Sequence, residues 1–328
     1  MTWPEDLDYA GKRVVVIGSG ATAVTIVPAM ADTAEHVTML QRSPSYVLSL
    51  PARDGIADRL RRWLPTNAAY DAVRWKNVRM TMLIYGLSRR RPELMKKLLR
   101  KGATSQLPDG YDVEAHFKPH YEPWDQRLCL APNGDIFAAI KAGDASVVTD
   151  TIETFTEKGI RLESGTELPA DIVVTATGLN LLALGGMALR VDGEPVDVPN
   201  TVAYKGLMLS GVPNLALTIG YINASWTLRA DLVCDYVCRL LRHMDEHGYR
   251  TCTPTAPPDT GRRPILDLTS GYVQRGLASM PKQGTDMPWR VQQHYLRDRR
   301  VMRRRRVDDE GLRFRRAPAA EPEPAGKA

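Results

Sequence analysis

Cysteine is scarce in this 328-residue chain: Cys129, Cys234, Cys238 and Cys252 are the only four, and no two form a C-x-x-C pair. That spacing excludes a zinc ribbon and offers no disulfide framework, which points to a reducing, cytoplasmic compartment. The helical spacing of Cys234 and Cys238 suggests buried small apolar groups rather than reactive thiols. No apolar run approaches the roughly 20 residues of a membrane-spanning helix. The opening "MTWPEDLDYAGK" lacks the basic start and apolar stretch of a signal peptide. There is no internal repeat, and no Ser-His-Asp or paired-carboxylate arrangement stands out.

Metal-binding spacing is equally thin. "HMDEH", His243 to His247, reads H-x-x-E-H, but it falls in the last turn of an expected helix and no third ligand accompanies it. His116 and His120 share that spacing, yet Pro119 breaks the helix that would align them. Lys and Arg number 44 against 38 Asp and Glu, a formal charge of +6. Such a surface tolerates anionic ligands without implying nucleic acid.

What is present is an α/β pattern long enough for two domains, with 43% apolar residues to fill their cores. "RVVVIG", Arg13 to Gly18, has the continuous Val/Ile character of a parallel strand covered on both faces. A helix is expected from Gly20 to about Ala31 despite Pro28, and a second strand near His36 to Gln41. From Ile56 to Lys101 the sequence turns helical, basic and Trp-containing, which marks an insertion. A basic amphipathic helix of this kind lies on a membrane surface in one reading and forms a solvated face in the other. The α/β pattern resumes at Leu128. "NGDIFAAIKAG" reads as a short helix, Ala145 to Leu168 as strands with a hairpin, and "ADIVVTATG" as a buried strand. Asn214 to Gly220 reads as another strand. A long helix follows from about Thr227 to His247, with Leu228, Leu232, Tyr236, Leu240 and Met244 on one stripe. The arginine run Arg303 to Arg306 reads as solvated or acid-paired, and the Pro/Ala/Glu tail as disordered.

Gly18, Gly20 and Ala23 form G-x-G-x-x-A between the first strand and its helix, the context of a dinucleotide site. Gly18 permits the tight turn, Gly20 lets the backbone approach a pyrophosphate, and Ala23 keeps helix and strand close. The helix start, Ser19 to Thr22 included, faces the phosphates. About 20 residues on, where an NAD site carries Asp or Glu, the sequence reads "MLQRSPS". Arg42 offers a guanidinium and Ser43 a hydroxyl to a 2′-phosphate, so NADPH is expected over NADH. Thr175, Ala176, Thr177 and Gly178 lie at another strand end, where small residues let a cofactor approach; a packing turn is the alternative. In "FKPHYEPWDQRLCL", Arg127 precedes a strand and presents a fixed cation. Such a cation either stabilises negative charge near a flavin or nicotinamide or makes a domain-bridging salt link.

Together "WPEDLDYAGKRVVVIGSGATAVT", "LQRSPSY", "YEPWDQRLCLAPNGD", "ADIVVTATGLN", "GYINASWTL" and "PKQG…PWR…YLRD" resemble the class B flavoprotein monooxygenases of Baeyer–Villiger type, over residues 3 to 316. The resemblance implies a flavoprotein with two dinucleotide-binding domains, using FAD and NADPH to insert one atom of O2 beside a ketone carbonyl or onto sulfur through a C4a-peroxyflavin. It implies that Gly18, Ser19, Gly20, Ala21, Thr22, Ala23, Arg42 and Ser43 hold NADPH. Arg127 would be the active-site arginine, and Gln126 would stand where many relatives have Lys. Ala176, Thr177 and Gly178 would lie near the cofactors, and Asn223 and Ser225 would start a helix facing the flavin.

The same resemblance divides the chain into a linker remnant (1–10), an NADPH-binding domain (11–178, with a helical insertion at about 50–122), the C-terminal part of an FAD domain (179–316) and a disordered tail (317–328). Of the signature F-x-G-x-x-x-H-x-x-x-W, only the final Trp3 is present. The expectation is therefore a chain whose first Rossmann segment, which would cradle the FAD pyrophosphate, is absent. Activity would then be impaired. Two alternatives are an inactive NADP-binding remnant and a basic interaction protein for anionic lipid or nucleic acid. As an enzyme its partners would be a small ketone or sulfur-containing substrate and O2, without nucleic acid; peripheral membrane contact and oligomerisation are left open.

Overall fold

The computed structural model describes residues 3–316. The tail read as disordered, 317–328, lies outside the described residues. The chain forms two compact units, one of residues up to Asn180 with Leu268–Tyr272, the other of Leu181–Asp267 with the residues from Val273 on.

The first unit begins with β1 (Arg13–Ile17), α1 (Ala21–Ala31) and β2 (His36–Gln41). It continues through β3 (Val47–Leu50), the helices α2 (Gly55–Trp63), α3 (Thr66–Arg90), α4 (Pro92–Thr104) and α5 (Val113–His116), then β4 (Cys129–Pro132) and α6 (Asp135–Ala142). It closes with β5 (Ala145–Thr149), β6 (Ile152–Thr156), β7 (Gly159–Leu162), β8 (Glu167–Pro169) and β9 (Ile172–Thr175). Four strands make a parallel sheet in the order β5-β2-β1-β9. The crossover from β1 through α1 to β2 is the doubly wound arrangement that collects ligands at the strands' carboxyl ends. β3 and β4 form a separate parallel pair, and β6, β7 and β8 an antiparallel one of three.

Alternation along β1 decides the packing. Val14 and Val16 face α1 and α6, in a core with Ala23, Val24, Val27 and Phe137, while Val15 joins Leu40, Ile160 and Leu162 on the opposite face. α1 tolerates Pro28 because it falls in the last turn, where one hydrogen bond is lost rather than several. β9 corrects the expectation of a buried strand. Its residues alternate between half-buried and exposed, and Val173 is 37% exposed. Its only strand neighbour among the described residues is β1, so it is a sheet edge whose apolar run is not enclosed on both faces.

In the second unit α7 (Trp226–His247) buries Leu228, Leu232, Tyr236, Leu240 and Met244, the stripe read from sequence. The strand Tyr249–Pro254 pairs antiparallel with Leu312–Arg316. Two expectations fail here. Asn214 to Gly220 is not a strand: its amides make isolated bonds, Asn214 to the Cys252 carbonyl (3.0 Å) and Leu217 to the Leu207 carbonyl (2.8 Å), with no ladder. Cys234 and Cys238 are exposed, because they lie about half a turn away from the Tyr236-centred stripe.

The core of this unit is unexpectedly polar. Arg229 is 0% exposed; its guanidinium meets Asp298 Oδ2 at 2.6 Å and donates to the carbonyls of Lys205 (2.8 Å) and Gln292 (2.9 Å). Burial raises the Asp298 carboxyl to about 6 despite the arginine beside it. Lys205 lies between the rings of Tyr204 and Tyr236, with Asp309 at 2.7 Å, and burial pulls its ammonium below the ordinary lysine value. The arginine run is acid-paired at Arg303 with Asp235 and at Arg306 with Asp308.

Two tests follow from the sheet. Gly18 leaves β1 at φ +130°, and a Cβ there would stand 2.4 Å from the Ala176 carbonyl oxygen. Gly18→Ala should therefore lose about 1–3 kcal/mol in urea unfolding, from backbone strain alone. At the opposite end of the sheet, Arg13 donates to both Asp171 oxygens (2.8 and 3.2 Å) and holds that carboxyl down to about 2. A depressed carboxylate stabilises above its unfolded value of about 3.9 and ceases to do so as pH falls toward the folded value. Asp171→Asn should thus be less stable than the parent at neutral pH. The gap should shrink between about pH 4 and pH 2 in urea titrations.

Candidate functional site

Three strand ends meet where β1 gives way to α1. The Gly18 amide donates to the Leu40 carbonyl at the end of β2 (2.8 Å), and the Ala176 amide donates to the Ile17 carbonyl (2.8 Å). Gly18 is thereby pressed against the backbone that follows β9. Gly20 differs: a Cβ there would meet nothing within 4 Å, so its exposed backbone is open to a ligand. α1 starts from Gly20 with no side-chain cap and no acid in its first turn. The amide dipoles at this end remain available to an anion, and Ala21 and Thr22 are exposed there. Ala23 is 0% exposed and sits in the core between α1 and the sheet.

The loop after β2 folds back onto this turn. Ser19 Oγ donates to the Ser43 carbonyl (3.1 Å) and lies 2.9 Å from Ser45 Oγ. Cys129 Sγ lies 3.8 Å from the Ser19 carbonyl oxygen, which brings the start of β4 to the same place. Burial pushes that thiol up to about 11, so it packs as a neutral group. Arg42 follows β2 directly and is exposed; among the described residues its side chain has neither hydrogen bond nor ion pair. Its neighbour Gln41 is 1% exposed, and its amide donates to the His116 carbonyl and to Thr149 Oγ1, both at 2.8 Å. Gln41 and Ser45 were not singled out from sequence. Their "QRSPS" setting was, but nothing in it signals which polar side chain turns inward.

Thr177 and Gly178 continue from Ala176. Gly178 adopts φ +102°, and a Cβ there would stand 2.9 Å from Tyr272 Cβ, so its smallness makes room for that ring. Arg127 is exposed two residues before β4, with no ion pair or hydrogen bond among the described residues; no salt link fixes it. The turn before it is fixed instead. Trp124 takes φ +76°, and Pro123 and Gln126 bridge across it. Arg89 of α3 holds Asp125 at 2.6 Å, and Lys96 of α4 holds Glu122 at 2.6 Å. The insertion thus anchors the segment carrying Gln126 and Arg127.

Asn223 and Ser225 belong to the second unit. Asn223 is buried, with Nδ2 donating to the Gln293 carbonyl (3.1 Å), and Ser225 Oγ lies 2.7 Å from Thr227 Oγ1. α7 begins at Trp226 without a side-chain cap and without an acid in its first turn. Among the described residues no cluster of His, Cys, Asp and Glu could hold a metal ion. His243 and His247 stack on each other with ring centres 4.2 Å apart.

The nucleotide fit is therefore specific in the first unit: open backbone at Gly20, an uncapped helix start, and an unpaired guanidinium one residue past β2. For a flavin, the second unit offers one uncapped helix start.

No family model matches the sequence. Among curated proteins it is 60% identical over 319 residues to the FAD-containing monooxygenase EthA of Mycobacterium tuberculosis, covering 97% of this chain and 65% of that one. It is 50% identical over 315 residues to the probable FAD-binding monooxygenase AlmA of Acinetobacter baylyi, with 95% and 63% covered. Among solved structures, an oxidized steroid monooxygenase bound to NADP superposes with a TM-score of 0.65 at 17% identity, over 96% of this chain and 69% of that one. Cyclohexanone monooxygenase from Rhodococcus sp. Phi1, bound to NADP+, gives 0.62 at 18%, with the same coverage. At such distances the structures establish a shared α/β flavoprotein fold. The curated relatives establish the family: this chain belongs to the FAD-containing monooxygenases and spans 65% of the length of the EthA relative.

Proposed function

We propose that the first unit binds NADPH and that the protein works as an FAD- and NADPH-dependent monooxygenase, transferring one oxygen atom from O2 to a small ketone or sulfur-containing substrate. The observation that carries the NADPH reading is Arg42. It is exposed, unpaired, one residue past β2, and no carboxylate stands in its place. A 2′-phosphate gains a planar cation there, and Ser43, held through its carbonyl by Ser19, has its hydroxyl free to add a donor. The pyrophosphate then lies over Gly20 at the start of α1, where a side chain would intrude.

FAD, when bound, supplies the redox chemistry by which dioxygen becomes an oxygen donor; the α7 start, with Ser225 at its cap, offers it a positive dipole end. Arg127 contributes a cation that needs no protonation change to stabilise negative charge developing in the reaction. Gln126 positions it from the anchored turn. Ala176, Thr177 and Gly178 keep bulk away from the nicotinamide side. Support for this assignment is the family membership and the concentration of these residues at one strand-end edge. The same cradle would serve a binding protein that retains NADPH without oxygenation, which flavin absorbance of the purified protein distinguishes.

Arg42→Ala should weaken NADPH binding by about tenfold or more while leaving NADH nearly unchanged, measured by titration of the purified protein. Equal losses would remove the 2′-phosphate role. In the flavin-loaded protein, Arg127→Ala should retain the flavin spectrum yet lower ketone or sulfide oxygenation by about a hundredfold or more. Unchanged turnover would exclude it from the mechanism.

A further inference from the structure

α2 presents its apolar side outward. Ile56, Leu60 and Trp63 follow at i, i+4 and i+7, the spacing of one helix face. Ile56 is 57% exposed and Trp63 84%, and the following Leu64 is 38% exposed. Only Ala57 of this helix is buried. The orientation is fixed by structure: Asp54 caps the helix, accepting from the amides of Ile56 and Ala57, and pairs with Lys76 of α3.

The charge around this face has one sign. Between Arg53 and Lys101 there are fourteen Lys and Arg against four Asp and Glu, a formal excess of ten in a chain whose total is +6. Arg59 and Arg62 flank the stripe, exposed and without ion pairs among the described residues; Arg61 is partnered by Asp58.

We propose that α2 adsorbs to an anionic lipid surface, with Trp63 and Ile56 entering the headgroup region and Arg59 and Arg62 meeting lipid phosphates. An exposed aliphatic stripe between arginines matches an interface that is apolar within and anionic at its edge. Nucleic acid would satisfy the arginines but gives Ile56 and Leu60 no apolar partner. The inference stands independently of cofactor binding, since none of these residues belongs to the nucleotide site.

The test is co-sedimentation of the purified protein with phosphatidylcholine vesicles, plain or containing about a third phosphatidylglycerol. Binding should appear with the anionic vesicles, weaken steeply with added salt, and fall by roughly tenfold or more in Trp63→Ser/Ile56→Ser. The variant should keep the parent's unfolding temperature and NADPH affinity, because both side chains are exposed. Equal binding to both vesicle types, or undiminished binding by the variant, would overturn the proposal. So would a concentration-dependent dimer abolished by the same variant, which would assign the face to a second copy. Duplex DNA outcompeting the vesicles would assign it to nucleic acid.

Discussion

The close approach of Gly18 to the Ala176 carbonyl is the constraint on which the first unit turns. Parallel register sets Ile17 beside Leu40 on one side and Thr175 on the other. The chain must then leave the sheet without colliding with the backbone beyond β9. A residue without a Cβ, at φ +130°, is the solution found, and α1 can begin three residues later with its amides pointing outward. The same contact that closes the turn therefore opens the anion-binding end of the helix. Fold and candidate site share one steric cause.

Much of this was readable from local pattern. The Val/Ile run of β1, the G-x-G-x-x-A turn and the arginine after β2 each report a near-neighbour requirement, and α7 follows its stripe from Leu228 to Met244. Failures came where burial depends on distant chain. β9 has the composition of an enclosed strand, yet Val173 is substantially exposed because the sheet ends there. Asn214 to Gly220 has strand-like residues and no adjacent partner to form a ladder. The exposure of Cys234 and Cys238 was readable after all, since the stripe already fixed which side of α7 faces inward.

The polar core of the second unit was invisible to hydrophobic patterning. Arg229 and Lys205 look like surface residues in sequence but are 0% and 3% exposed. Each is tolerated because partners replace water: Asp298, Tyr221 and two carbonyls around one; Asp309 and two tyrosine rings around the other. Removing either acid would leave a buried cation uncompensated. A core of this kind specifies one arrangement of α7 against the helix Tyr295–Arg304 more sharply than aliphatic packing would, since only one alignment satisfies every donor.

The bond from Ser19 to the Ser43 carbonyl bears on the entropy of recognition. The glycine turn and the loop after β2 are separate in sequence, and in an untethered protein each would have to be ordered when a dinucleotide arrives. Tied together within the folded state, they present a ready-made span between an open helix end and a free guanidinium. Ligand fragments carrying only one of the two anionic groups then meet the same rigid cradle as the intact molecule. Loop ordering is thereby charged to folding rather than to binding.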